Sequence, residues 1–457
     1  MNGMSRILTA GASFFAVTAM GASLLVLLIR YILEPAAPGL SFGRRLRRLT
    51  NGRPLADEPS GESTANRQLR RRLRKNEWAL RNQLHIIAWI LCVFILSRLI
   101  IFASALVGSW INGNLLAFFS DFRGHWIRWD AIGYLSVAEN GYAAENQAYL
   151  VLMPLYPMLT KLLSLLCFGN TALAGTLISN FALIGSAWAL FLLVREKQGQ
   201  ICARRAVQLF LFCPLSVFFS VPYAESLFLF LTLSSILLAR RQKFAAAVLV
   251  GMLAAFTRLA GILTIIPVLL EVLKYERSIH LWPRHKARCI GRIAFYSLLT
   301  LLISLGFFAY LLINYLATGN PLAFVKIRAE SWNQSFGTLA NTLKYSIETA
   351  FIGDSPEWLM GVWLPQSIGI VLVLLLLVVV SPFTDPGDGL YAWAYLALTL
   401  APTWLLTGPR MIFCLYPLYP MLVRVTRKNA LYIIALVSFL LLLILCSYMY
   451  AVVGNLL

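Results

Sequence analysis

Asp130 stands where a proton-accepting carboxylate could do chemistry. It follows Arg128 and Trp129 inside FRGHWIRWDAIGYLSVAENGY, residues Phe122 to Tyr142, and apolar runs flank that polar stretch. A carboxylate is the expected general base for activating a hydroxyl nucleophile. The Trp129 neighbour predicts a poorly solvated carboxylate beside a membrane; an ion pair with Arg128 or Arg258 is the competing reading. Glu225, with Tyr223 in SVPYAES, follows Pro222 and is placed to start a helix, where an acid is favoured. Arg258 in FTRLAG and Arg410 in TGPRMIF have few acids nearby in sequence. A guanidinium fork matches phosphate oxygens, so both are candidates to hold a phosphate. Arg128, Trp129, Tyr134 and Lys326 complete the candidate binding residues. The rings of Trp126, Trp129 and Tyr134 could stack on a ligand, and an aromatic belt at a membrane interface explains them equally well. His125 is expected to be a satisfied surface histidine.

The elements that must position these residues are membrane helices. Of the 457 residues 59% are hydrophobic and 13% charged, against roughly 25% charged in soluble chains. Several apolar runs exceed the roughly 18–20 residues that cross a bilayer. The expected class is an all-α polytopic membrane protein. The net charge of +20 is concentrated in short loops between apolar runs. That is the positive-inside pattern, with anionic membrane lipids as partners and no nucleic acid. The seven cysteines are scattered singly, without CxxC or His-paired spacing. Neither a disulfide framework nor a zinc site is indicated.

Three parts are expected along the chain: an N-terminal membrane helix in 1–33, a basic cytoplasmic linker in 34–83, and a transmembrane domain in 84–457. Between Glu34 and Asn82 twelve Lys and Arg face five Asp and Glu, a balance of +7. Arg67 to Arg81 suits either a basic amphipathic helix or a solvated linker. With the linker inside, Leu84 to Trp110 crosses outward and the segment around Asp130 lies outside. The next basic loop, Arg195 to Arg205, belongs inside, so YLVLMPLYPMLTKLLSLLCF is expected to lie in the outer interface rather than cross. Arg205 to Arg241 becomes a hairpin with its outer tip at Ser220–Ser226. Lys243 to Lys274 must cross twice or re-enter, with arms of about 15 residues, short for a bilayer, and Arg258 in a depression at the turn. Thr318 to about Gly361 is a second outer segment. About twelve membrane helices result, with juxtamembrane helices on the extracytoplasmic side. The acidic loop Ser381 to Gly389 is where the positive-inside signal is weakest.

RWDAIGYLSVAENGY, MPLYP, CPLSVFFSVPYAESLFLFL, AAFTRLAGIL, GNPLAFVKIRAESW and GPRMIFCLYPLYP occur in that order. This series, from about Asn82 to the last helix, resembles the PIG-V family of GPI mannosyltransferases and its prokaryotic relatives, within the GT-C glycosyltransferases. The resemblance implies a multipass enzyme that moves a sugar, typically mannose, from a polyprenyl-phosphate donor to a lipid or glycan acceptor on the extracytoplasmic or lumenal side. It also implies a catalytic acid in the first outer loop, a position that Asp130 matches. The chain carries a single acid after Trp129 rather than the Asp-Asp or Glu-Asp pair of some GT-C families. A metal-bridging role is therefore not carried over: no cofactor is assigned, and a divalent metal is left open. The acceptor is not carried over either, because prokaryotic relatives need not make GPI. Compact loops favour a prokaryotic plasma membrane; a eukaryotic chain would sit in the ER membrane. The rival classes are a lipid transporter or flippase, and a non-catalytic subunit of a glycosyltransferase complex. Transporters often show inverted repeats and paired charges near the midplane. Here the charges gather at one face.

Overall fold

The computed structural model describes residues 64–453 apart from 143, 280–285, 353–358, 404 and 406–407. The expected helix in 1–33 and the linker up to residue 63 lie outside the described residues. From Thr64 the chain is helical without interruption to Ile111, so the end of the basic linker runs straight into the first span.

Among the described residues, five helices are long and apolar enough to cross a membrane: Gln83–Ile111, Thr171–Gln198, Gly291–Thr318, Leu364–Phe383 and Asn429–Val452. About twelve spans were expected; five helices of spanning length are observed, with shorter helices between them. The Thr171–Gln198 helix forms the centre, with 61% of its apolar window buried. The Asn429–Val452 helix is peripheral, with 17%. Its exposed Ile433, Ile434 and Leu441 present an apolar face of the kind lipid covers.

The two hairpins are built from broken arms. The first runs through helices Gln200–Leu211 and Glu225–Arg240, joined by an irregular stretch with one 3-10 turn at Ser216–Phe219. Irregular backbone at membrane depth is tolerated only where protein groups satisfy it. Here Arg98, in the middle of the first span, donates to the Ser216 carbonyl at 3.0 Å and to the hydroxyls of Ser216 and Ser220. Asn180 donates to the Ser220 carbonyl at 2.9 Å, and Ser226 Oγ to the Phe219 carbonyl at 2.7 Å. The second hairpin has arms Phe244–Thr257 and Ile265–Ile279, with the turn Leu259–Thr264 between them. Gly261 is required there: a Cβ would meet the Ala254 carbonyl oxygen at 2.1 Å. The Leu155–Ser164 helix, expected to lie in the interface, is too short to cross alone and packs against Thr171–Gln198 and Asp130–Asn140.

The acidic loop that weakened the charge pattern has a physical explanation. Lys197, Arg240 and Lys274, from three predicted cytoplasmic loops, converge on Asp385, Asp388 and Glu271. Asp385 Oδ2 lies 2.5 Å from Lys197 Nζ and 2.7 Å from Lys274 Nζ. Arg240 lies 3.3 Å from Asp388 and 3.5 Å from Glu271, and Tyr416 donates to Asp388 at 2.7 Å. The acids in Ser381–Gly389 thus neutralise a basic end and fasten four helices together. Burial alone would raise the Asp385 carboxyl, but Lys197, Lys274 and Arg240 outweigh it and hold that carboxyl well below its ordinary value. A depressed carboxylate contributes stability that is fully present above the unfolded value and is lost as pH falls through the folded one. The expected result is a wild-type melting temperature above that of Asp385→Asn at pH 7. The gap should narrow as pH drops below about 4; a gap that is constant with pH would contradict the role given to this network.

Candidate functional site

At the opposite end of the bundle from that network, Asp130 opens the helix Asp130–Asn140. The residues before it are held from several directions. Tyr223 Oη donates to the Arg128 carbonyl at 2.9 Å. The Arg128 side chain donates to the carbonyls of Gly124 at 3.0 Å and Ala451 at 3.2 Å, and His125 Nδ1 lies 2.7 Å from the same Ala451 oxygen. Arg128 and His125 therefore tie the first polar segment to the end of the last helix. Trp129 sits at φ 54°, a left-handed conformation that costs a non-glycine residue on the order of 1–3 kcal/mol. Strain of this kind persists only where the surroundings over-determine it. Here it turns the chain so that Asp130 begins the helix while the Trp129 ring, 44% exposed, lines a cavity.

That cavity has a volume of about 800 Å³. Asp130, Tyr134, Tyr223, Arg258, Arg328 and Arg410 all contribute to its wall. Tyr134 is wedged edge-on against Tyr156 and Tyr223, with ring centres 5.1 and 6.3 Å away.

Four charged side chains from four segments form a line of alternating sign. Arg410 Nη2 donates to Asp130 Oδ2 at 2.7 Å. Arg410 Nε lies 3.2 Å from Glu225 Oε1, and Arg258 Nη1 donates to the same Glu225 oxygen at 2.6 Å. Arg410 is also packed over the rings of Phe218 and Tyr223, 5.4 and 5.1 Å from their centres. Glu225 is 1% exposed and starts its helix as expected, but its carboxylate serves the two arginines. Arg258 Nη2 also meets the Met411 sulfur at 2.7 Å.

Two expectations change on this geometry. Asp130 is not poorly solvated: its side chain is 40% exposed to the cavity, and its ion pair is with Arg410 rather than Arg128 or Arg258. Both arginines expected to meet phosphate already hold carboxylates. Of the other candidates, Trp129, Tyr134 and Tyr223 line the cavity, whereas Arg128 and Lys326 do not. Lys326 is exposed and lies 3.7 Å from Glu330. Arg328, two residues further, faces the cavity instead. The i,i+4 spacing of Lys326 and Glu330 did not single out Arg328, because Glu330 lines the cavity as well. Among the described residues, no group of three or more His, Cys, Asp or Glu is placed to hold a metal ion.

The mannosyltransferase (PIG-V) family matches residues 84–361. The chain belongs to this family. Asp130, Glu225, Arg258 and Arg328 fall inside the matched part, while Arg410 lies beyond it. The chain is 31% identical over 183 residues to GPI mannosyltransferase 2 of Schizosaccharomyces pombe, a match covering 35% of this chain and 38% of that protein. The chain thus spans well under half the length of this relative. No solved structure matches the chain.

Proposed function

We propose that this PIG-V family member is a GT-C-type membrane mannosyltransferase that moves a sugar from a polyprenyl-phosphate donor to a lipid or glycan acceptor. The observation that carries this reading is the Asp130 carboxylate. One oxygen is fixed by Arg410 at 2.7 Å, and the side chain opens to a cavity framed by aromatic rings. In the proposed single displacement, Asp130 takes the proton of the acceptor hydroxyl as that oxygen bonds to C1 of the sugar. The bond from C1 to the phosphate oxygen breaks on the opposite face, so the configuration inverts. The phosphate leaves with the bonding electrons. Arg410 fixes one oxygen of the Asp130 carboxylate, and Glu225 orients Arg410 and Arg258; preorganised charge of this kind is usually the largest catalytic contribution. Trp129, 44% exposed, offers a face against which a sugar can pack, and the buried Tyr134 lines the cavity beside it. The short hairpin arms and the Leu155–Ser164 helix complete the membrane layer between the five long spans, with the cavity on the extracytoplasmic side, in a prokaryotic plasma membrane.

The test is reconstitution of the full chain in lipid nanodiscs with radiolabelled polyprenyl-phosphate mannose and membrane lipid extract. The proposal expects label to pass from the donor to a new lipid or glycan product. Movement of intact donor between leaflets of proteoliposomes, with no new product, would favour a transporter instead.

A further inference from the structure

The donor reading leaves an anion to be held, and the two arginines nearest Asp130 are already committed. Asp130 and Glu225 balance Arg258 and Arg410, so the inner line of charge carries no net charge before a ligand arrives. Arg328 is different. It lies on the helix Ala323–Trp332, and its side chain reaches the same cavity wall. Among the described residues no carboxylate lies within ion-pair distance of it. The cavity's remaining acid, Glu330, faces Lys326. Burial lowers the Arg328 guanidinium from its ordinary value, and the Arg258 cation pushes the same way. Tyr310, Asp130 and Tyr134 act in the opposite sense without restoring it. A half-buried cation in this condition is stabilised by an incoming anion.

The backbone holds the helix in place for that role. Phe324 N donates to Asn314 Oδ1 at 3.2 Å at its start. At its end Asn333 turns left-handed at φ 49°, and Gln334 N donates to the Arg328 carbonyl at 3.0 Å. The helix also packs along the Ala144–Val151 turn that follows the Asp130 helix, so both outer segments meet beside the cavity.

We infer that Arg328 is the residue that binds the phosphate of the lipid-carried donor, and of the lipid phosphate released after transfer, in the cavity that Asp130 also lines. The inference rests on the polyprenyl-phosphate reading above. A sugar phosphodiester carries one negative charge, which the Arg328 guanidinium, without an ion-pair partner among the described residues, matches. The released lipid monophosphate carries more, so the same contact should hold the product.

Thermal unfolding of the full chain in nanodiscs tests this, with polyprenyl phosphate, uncharged polyprenol and inorganic phosphate as separate probes. Polyprenyl phosphate should raise the wild-type melting temperature and polyprenol should not; a shift with inorganic phosphate alone would show a headgroup-sized site. Arg328→Ala should keep the unliganded melting temperature and bind polyprenyl phosphate roughly 10- to 100-fold more weakly, the effect of removing a charge-assisted hydrogen bond. Arg328→Lys, which keeps the charge, should recover part of that binding. Arg328→Ala that binds polyprenyl phosphate as wild type does would overturn the assignment while leaving the donor reading standing. Equal loss in both variants with a lowered unliganded melting temperature would also overturn it, by marking a structural role. A wild type that does not distinguish polyprenyl phosphate from polyprenol would remove the donor reading itself.

Discussion

Glu225→Gln should lower stability by about 3–5 kcal/mol, the usual cost of removing one partner of a buried ion pair. Glu225 is 1% exposed and accepts Arg258 at 2.6 Å while lying 3.2 Å from Arg410. The amide keeps the size but removes the charge, leaving two buried guanidiniums with Asp130 as their one remaining carboxylate among the described residues. The first consequence is a fall in the denaturation midpoint. The second is functional: Arg410, no longer drawn toward Glu225, loses the orientation that fixes Asp130. The double variant Glu225→Gln with Arg258→Met separates pairing from packing. Residues in one network couple by about 0.5–3 kcal/mol, so the double variant should be less destabilised than the two single effects added. Strict additivity would show that the Glu225–Arg258 contact contributes nothing beyond its parts.

Asp130→Asn should reduce turnover by about 10²–10⁴-fold, the usual contribution of a positioned general base. The exchange suits the geometry because Asn keeps a carbonyl oxygen for Arg410 and keeps the shape of the cavity. It removes the proton acceptor alone. Donor affinity should stay near wild type, since the phosphate is held elsewhere. A variant with normal kcat and raised KM would make Asp130 a binding residue only.

The helical organisation was legible because it depends on local composition. Basic residues at Arg195–Arg205, Arg240–Lys243 and Lys274 bracketed the two hairpins, and the observed helices Phe244–Thr257 and Ile265–Ile279 fall where the short arms around Arg258 were expected. The break at Pro222–Glu225 was legible for the same reason: proline and an acid mark a helix start. Pairing across the bundle was not legible. Asp130 and Arg410 are 280 residues apart, and nothing local says that their segments meet. Arg258 and Arg410 read as free cations because few acids stand near them in sequence, whereas the fold delivers Glu225 to both. The acidic loop around Asp385 looked like an exception to the charge pattern until its cationic partners were brought to it by three other helices. Arg328 was not legible as a cavity residue, because Glu330 on the Lys326 face lines the cavity too and the lack of a carboxylate partner among the described residues is a property of the folded cavity alone.

The proton acceptor at position 130 is tested most directly in a single turnover. Wild type and Asp130→Asn in nanodiscs are loaded to equal occupancy with radiolabelled polyprenyl-phosphate mannose, acceptor is added, and label in donor and product is followed by rapid quench. The predicted result is that wild type empties its donor into an inverted product while Asp130→Asn retains the label as intact donor. Transfer by Asp130→Asn at a rate close to wild type would contradict it.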